Sequence, residues 1–452
     1  MERFWRQRAA RSEFEQLAAR TSMISERKIY VHIQLPGTLK VVPAGLLTLK
    51  ELPDGLKLGT FGYGRKYLDR KDKISLDPEQ LPLDGNVREF TKLKGLPGSI
   101  RDSSPDAWGR RVIEHQLEVR PDDLVEADYL LHGPKDGAGW LLFSESAKEI
   151  HPGARFNLTH QLEYLIQASQ AIQERSATTP LSLMGLEPGT SMGGARPKAT
   201  IEDGNKLWLA KFPEREDEFN YQRVEFATLE LAARCGLLVT KRRLITLDGA
   251  DVLMLERFDR EYAGEGYHRL GLVSSLTVLD AEDNHLDRAL WSYPLFAEKL
   301  RRWSVQSKQD SIEIYRRMVF NACITNNDDH PRNHALLGDY DGWKLSPAYD
   351  LVPKPLVSKE LRDLALTVGK YGRAASLYNL ISSSETFGLS REAAEHEIKQ
   401  IVDVCKNWPK IFAESGVSQK DIQYIEGAFL PESLFRADAP EPIYIPLTGR
   451  RG

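Results

Sequence analysis

The chain has 452 residues, with 61 Lys and Arg against 65 Asp and Glu, a formal charge of −4. That near-neutral balance gives no electrostatic reason to expect autonomous binding to nucleic acid. The longest apolar runs, such as Trp140–Phe143 and Val252–Leu255, fall far short of the ~20 residues a membrane span needs.

With 41% hydrophobic and 28% charged residues, the composition is that of a globular protein able to bury a core. At roughly 150 residues per domain, the length suggests about three units. Cys235, Cys323 and Cys405 form no CxxC pair, which excludes a disulfide framework or a thiolate zinc site built on local spacing. The expectation is a soluble protein of a reducing, cytoplasmic compartment.

Residues 1–22 carry no apolar segment of the secretory kind and read as an extension. From Lys28 the chain reads as short strands at 29–33, 46–49 and 58–61, with turn signals at Pro36-Gly37 and Asp54-Gly55. Gly62-Tyr63-Gly64 reads as a strand turn. A helix is expected next, with Ser104 as N-cap, Pro105 at its first position and Asp106 in its first turn. Farther on, a glycine-rich loop leads into a hairpin, 198–202 against 207–212 across Asp203-Gly204. A helix from about Glu218 to Arg234 should stop at Gly236. A second hairpin pairs 243–247 with 252–256. After Arg260 the pattern is mostly helical to about Phe429, apart from a hairpin of 335–337 against 343–345.

The chemistry concentrates at Asn326-Asn327-Asp328-Asp329-His330-Pro331-Arg332-Asn333. Asp328 and Asn333 have the spacing Asp-x4-Asn, and phosphoryl transfer uses a carboxylate to accept a hydroxyl proton and an amide oxygen to help hold magnesium. The hairpin that follows should return Asp350 to the side of Asn333, giving two hard oxygen ligands. Alone, these residues read equally well as turn and capping residues. Lys211 adds weight: it shares a strand face with Leu207 and Leu209, and a cation on an apolar face asks for an anionic partner. Glu225, interrupting the apolar stripe of the next helix, is the candidate partner. Gly189–Lys198 supplies glycines whose backbone N–H groups could approach phosphate oxygens. The same stretch matches GxSxG, but a hydrolase elbow needs a helix after it, whereas Pro197 and a strand follow. A metal hydrolase built from Asp328, Asp329, His330 and Asp350 is a further alternative.

Taken together, the motifs resemble the HipA-type serine/threonine kinases of bacterial toxin–antitoxin modules. The matching stretches are Ser191–Lys198, Leu209–Pro213, Val224–Phe226, Leu255–Arg260, Asn327–His334 and Leu345–Asp350, with Ser104–Arg110 similar to the family's N-terminal region. The resemblance covers about residues 25–430. It implies an α+β fold with the two lobes of a protein kinase: a β-rich part at 23–145, an N-lobe-like part at 146–260 and a helical part at 261–452.

By matching position it implies Asp328 as the catalytic aspartate, and Asn333 and Asp350 as Mg2+ ligands. It implies an ATP site formed by Gly193, Gly194, Ala195, Arg196, Pro197, Lys198, Lys211, Glu256, Arg257, Phe258, His330, Arg332, Asn333, Tyr349 and Asp350, with Glu225 pairing Lys211. Glu256 and Phe258 would meet the adenine through their backbones at the hinge. Ser191 would be the serine such kinases autophosphorylate to switch themselves off. The implied partners are a helix-turn-helix, HipB-like antitoxin, operator DNA bound through that antitoxin, and an aminoacyl-tRNA synthetase as protein substrate. The alternative from another class is a catalytically silent co-repressor held on DNA by its antitoxin.

Overall fold

Alternating apolar residues set the first sheet in the computed structural model, which describes residues 26–52, 56–148, 150, 156–174, 194–355 and 363–436. The 1–22 extension, the Asp54-Gly55 turn, Ser191 and Gly193 lie outside the described residues. Strands β1 (Arg27–Gln34), β2 (Val41–Glu51), β3 (Lys57–Tyr63), β4 (Arg88–Phe90) and β5 (Leu141–Ser144) pair antiparallel in the order β4-β3-β2-β1-β5. Ile29, Val31 and Ile33 bury one face of β1 at the two-residue period of a strand. Gly62 pairs with Leu46 inside β3, so Gly62-Tyr63-Gly64 ends a strand and makes no turn.

Two helices follow, Gly98–Ser103 and Ala107–Gln116. The expected cap at Ser104 is corrected here. Ser104 ends the first helix with ψ 151°, the extended conformation that a following proline favours. Asp106 caps the second helix instead, accepting the Gly109 N–H at 2.8 Å.

The second sheet contains β6 (Asn157–Leu158), β7 (Lys198–Asp203), β8 (Lys206–Lys211), β9 (Arg242–Leu247) and β10 (Ala250–Glu256), in the order β6-β7-β8-β10-β9. Its alternation divides two cores. Trp208, Ala210, Val252 and Met254 pack with Leu162, Leu165 and Ile166 of helix Leu162–Gln173. Leu209, Leu253 and Leu255 face the side of helix Tyr221–Arg234, with its Val224 and Ala227. That helix is capped by Asn220 and stops at Gly236, which has φ +82°.

Beyond the second sheet, β11 (Arg260–Tyr262) pairs with β12 (Tyr267–Arg269), and β13 (Gly271–Ser274) joins β14 (Ala335–Asp339) and β15 (Gly342–Leu345) in one sheet. The sequence shows only the β14–β15 hairpin, because β11 and β12 are short and polar. Helices Tyr293–Trp303, Ser307–Cys323, Arg391–Cys405, Trp408–Glu414 and Gln419–Ile425 build the rest of this lobe. The result is an α+β fold with a sheet-bearing lobe and a mostly helical lobe, as in protein kinases. Among the described residues, no helix is long and apolar enough to cross a membrane.

Candidate functional site

Lys211 ends β8 almost fully buried, where an unpaired ammonium would be strongly unfavourable. Two carboxylates hold it: Glu225 Oε1 at 2.7 Å and Asp350 Oδ1 at 2.8 Å. Burial works against the Lys211 charge, but Asp350 and Glu225 outweigh it and raise the ammonium above its ordinary value. Asp350 is pulled the other way: burial opposes its charge, and Lys211 beside it keeps the carboxyl below its usual range. Glu225 is raised by its burial, against the pull of Lys211. Asp350 also has φ +58°, a left-handed conformation uncommon outside glycine and stored most often at functional positions.

The segment expected to cradle phosphate is anchored, from Gly194 onwards, by the N-terminal part of the chain. Lys198 opposes Lys211 across β7 and β8, and its Nζ reaches Asp106 Oδ2 at 2.6 Å and the Gly194 carbonyl at 3.1 Å. Gly194 has φ +98°, which a side chain would resist. Arg111 donates to the Ala195 carbonyl at 2.6 Å, and Trp108 Nε1 donates to the Lys198 carbonyl at 3.0 Å. Pro197 accepts the Phe212 N–H at 2.9 Å, tying the loop's end to β8. Arg196 pairs with Asp217 and Glu214 and lies 3.6 Å over the Tyr221 ring. A strand follows this loop, so the hydrolase elbow is excluded.

The acidic motif separates in space. Asp328 is 74% exposed and meets Lys354 Nζ at 3.0 Å. Asp329 is buried and accepts from Tyr293 Oη, and its Oδ2 lies within hydrogen-bond distance of His334 Nε2, at 2.8 Å. His330 meets Asp283 at 2.9 Å and sits edge-on to Trp291, and Arg332 lies 3.7 Å from Asp283. The four groups of the metal-hydrolase alternative therefore share no partner: Asp328 faces Lys354, Asp329 faces Tyr293 and His334, His330 faces Asp283, and Asp350 faces Lys211. Among the described residues, no cluster of three His, Cys, Asp or Glu side chains could hold a metal ion. Tyr349 Oη donates to the Arg332 carbonyl at 2.6 Å, so the hairpin's return lies against the turn that carries buried Asn333. Asp328 opens onto a cleft of about 490 Å3 lined by Arg196, Asp217, Tyr221, Asn327 and Lys354.

At the hinge, the Glu256 carbonyl accepts the Thr240 hydroxyl at 2.8 Å, and the Arg257 N–H donates to Leu207 at 2.8 Å. Phe258 packs on Tyr349 with ring centres 5.7 Å apart. The Arg257 guanidinium is wholly buried between Asp136 and Asp259, where it braces the residues that follow β10.

Sequence reasoning missed Asp106, Trp108 and Arg111, which act on the loop from about 90 residues away in the chain. It also missed Asp136 and Lys354. Only Asp106 had a local signal, at a helix start.

Together these features define a two-lobed protein with a kinase-like arrangement of strand lysine, helix glutamate and hairpin-return aspartate. It carries a HipA-like C-terminal domain: residues 190–408 match the family model of that description. Toxin YjjJ of Escherichia coli is 26% identical over 311 residues, covering 63% of this chain and 66% of that protein. The kinase-named protein Y4mE of Sinorhizobium fredii is 27% identical over 165 residues, 36% of this chain and 38% of its own. The chain thus spans less than two thirds of the length of each. HipA in a complex with HipB and operator DNA, from Shewanella oneidensis, superposes with a TM-score of 0.61 at 18% identity, over 88% of this chain and 94% of that one.

Proposed function

We propose that the protein is an ATP-dependent serine/threonine kinase acting as the toxin of a toxin–antitoxin pair. The observation that carries the reading is Lys211, buried and bridging Glu225 and Asp350. A lysine so fixed presents a charge to phosphate oxygens without reorganising. The residues fit Mg–ATP chemically: Asp350 and Asn333 offer hard oxygens, Lys211 and Lys198 offer cations, and Gly194 leaves its backbone unshielded. When bound, Mg–ATP would supply the γ-phosphoryl group and neutralise its developing charge.

Lys211 would orient the phosphates, with Glu225 holding the ammonium in place. Backbone groups of Glu256 and Phe258 would seat the adenine. Asp328, exposed at the mouth of the cleft, would accept the proton of an incoming serine or threonine hydroxyl, with Lys354 Nζ 3.0 Å away to orient it. Self-inactivation at Ser191, an aminoacyl-tRNA synthetase as substrate, and a HipB-like antitoxin that carries the protein to operator DNA in the cytoplasm complete the reading.

The test is phosphate transfer from labelled Mg–ATP to protein serine or threonine, followed by mapping of modified residues. Asp328→Gln should abolish transfer while sparing nucleotide binding, since aligning the nucleophile acts in the transition state. No transfer by the unaltered protein, or undiminished transfer by the variant, would defeat the assignment.

A further inference from the structure

The chain's three cysteines, far apart in sequence, converge at one junction between the lobes. Cys235 caps the C-terminus of helix Tyr221–Arg234, the helix that carries Glu225. Cys405 closes helix Arg391–Cys405, and Cys323 closes helix Ser307–Cys323. Cys235 Sγ lies 3.8 Å from Cys405 Sγ, and its thiol also points at the Ile401 carbonyl at 3.9 Å. Cys405 and Cys323 are buried, whereas Cys235 is half-exposed.

We propose that Cys235 and Cys405 are an oxidation site, forming a reversible disulfide that clamps the Glu225 helix to the helical lobe. The two sulfurs must close from contact to about 2.05 Å. Cys235 has the freedom to do so, because its side chain borders solvent and Gly236 follows it at φ +82°. A metal is the other fate of clustered thiols, but no three-ligand group of metal-binding geometry exists among the described residues.

Exposure makes Cys235 the first to react. The Cys405 thiol is held well above its ordinary value by hydrogen bonds with Cys235 and Cys323, and by burial. With hydrogen peroxide as oxidant, the Cys235 thiolate breaks the O–O bond, keeps one oxygen as sulfenic acid and releases the other as hydroxide, which becomes water. Cys405 sulfur then bonds to Cys235 sulfur as the S–O bond breaks, and its proton leaves with the hydroxyl as a second water. Two thiols supply the two electrons that reduce one peroxide.

The bond would join positions 170 residues apart and across two lobes, so it restricts the unfolded chain strongly. The full-length protein, reduced and then treated with hydrogen peroxide, is read by intact mass after alkylation, by peptide mapping and by thermal melting. Expected are loss of two hydrogens, a Cys235–Cys405 linked peptide, and a Tm about 5 °C higher, all reversed by dithiothreitol. Cys235→Ser should show none of these while melting like the reduced protein. A Cys323–Cys405 link, a bond that persists in Cys235→Ser, or Cys235 over-oxidised with no link would overturn the proposal. A linked protein whose Tm does not move would overturn the clamp.

Discussion

Lys198 and Lys211 are register partners across β7 and β8, so their side chains leave the sheet on the same face. Two facing ammonium groups repel, and three carboxylates answer them: Asp106 on Lys198, and Glu225 with Asp350 on Lys211. Each carboxylate comes from a different part of the chain, the first from a helix start, the second from helix Tyr221–Arg234 and the third from a hairpin's return. The like-charge pair therefore acts as a pin. It gathers the N-terminal part, the sheet lobe and the helical lobe on one face of one sheet, which is where a polyanionic nucleotide would be received.

Lys211→Met should separate this structural role from the chemical one. Glu225 is almost fully buried, and removing its partner leaves an uncompensated buried charge, a loss of about 3–5 kcal/mol. Adding Glu225→Leu removes that charge, and denaturant unfolding should show stability returning to within about 1 kcal/mol of the original. Phosphoryl transfer should stay lost in both variants. Recovery of transfer in the double variant would show that Lys211 does not meet phosphate.

Asp350→Asn should weaken magnesium-dependent nucleotide binding with little effect on the fold. Asparagine tolerates the left-handed φ of +58° as well as aspartate does, so the backbone is not strained by the exchange. The lost pair with Lys211 is 32% exposed on the Asp350 side, which limits its stabilising effect. Titration with Mg–ATP should show roughly a tenfold or greater loss of affinity, about 1.4 kcal/mol. Unchanged affinity would remove Asp350 from the metal site.

Much of this arrangement is legible because the signals are local and periodic. The alternation of Trp208, Leu209, Ala210 and Lys211 tells which face the lysine takes, and Glu225 stands out because it breaks an apolar stripe. Asp328 and Asp329 show the limit. Adjacent and identical in type, they end as an exposed acid beside Lys354 and a buried acceptor for Tyr293, a difference set by tertiary packing. The pairing of Arg257 is hidden for the same reason: its partner Asp136 is 121 residues away, and no local pattern announces it. The Ser104 cap was misassigned locally, because Pro105 could open a helix as well as follow one.

Arg257→Lys should destabilise the protein despite keeping the charge. The guanidinium makes forked contacts with Asp259 Oδ1 at 3.0 Å and Oδ2 at 2.9 Å while also reaching Asp136. A lysine cannot occupy both carboxylates from one point, so a buried acid loses a donor, at about 2–3 kcal/mol. Urea unfolding checks the loss. Because the network braces the residues after β10, nucleotide affinity should fall as well, and a stable variant with normal affinity would refute the bracing role.

Asp77 should make stability depend on pH in a way that one substitution removes. Its carboxylate is fully buried, with Oδ1 accepting the N–H groups of Glu79 and Gln80 at 2.9 Å each. Oδ2 is buried with no hydrogen-bond partner. Burial dominates, and it pushes the acid from an ordinary value of 3.8 up to about 7, against the pull of those two N–H groups. Across that window the folded protein keeps a proton that the unfolded chain has released. Stability from this group is therefore fully present below 3.8 and falls as pH rises towards 7. Asp77→Asn keeps the Oδ1 acceptor and cannot titrate, so it escapes the fall. Relative to the unaltered protein, the variant should gain on the order of 2–4 kcal/mol between pH 4 and pH 8 in urea unfolding. A difference between the two proteins that is the same at both pH values would show that Asp77 is ionised throughout and that its site is wetter than its burial implies.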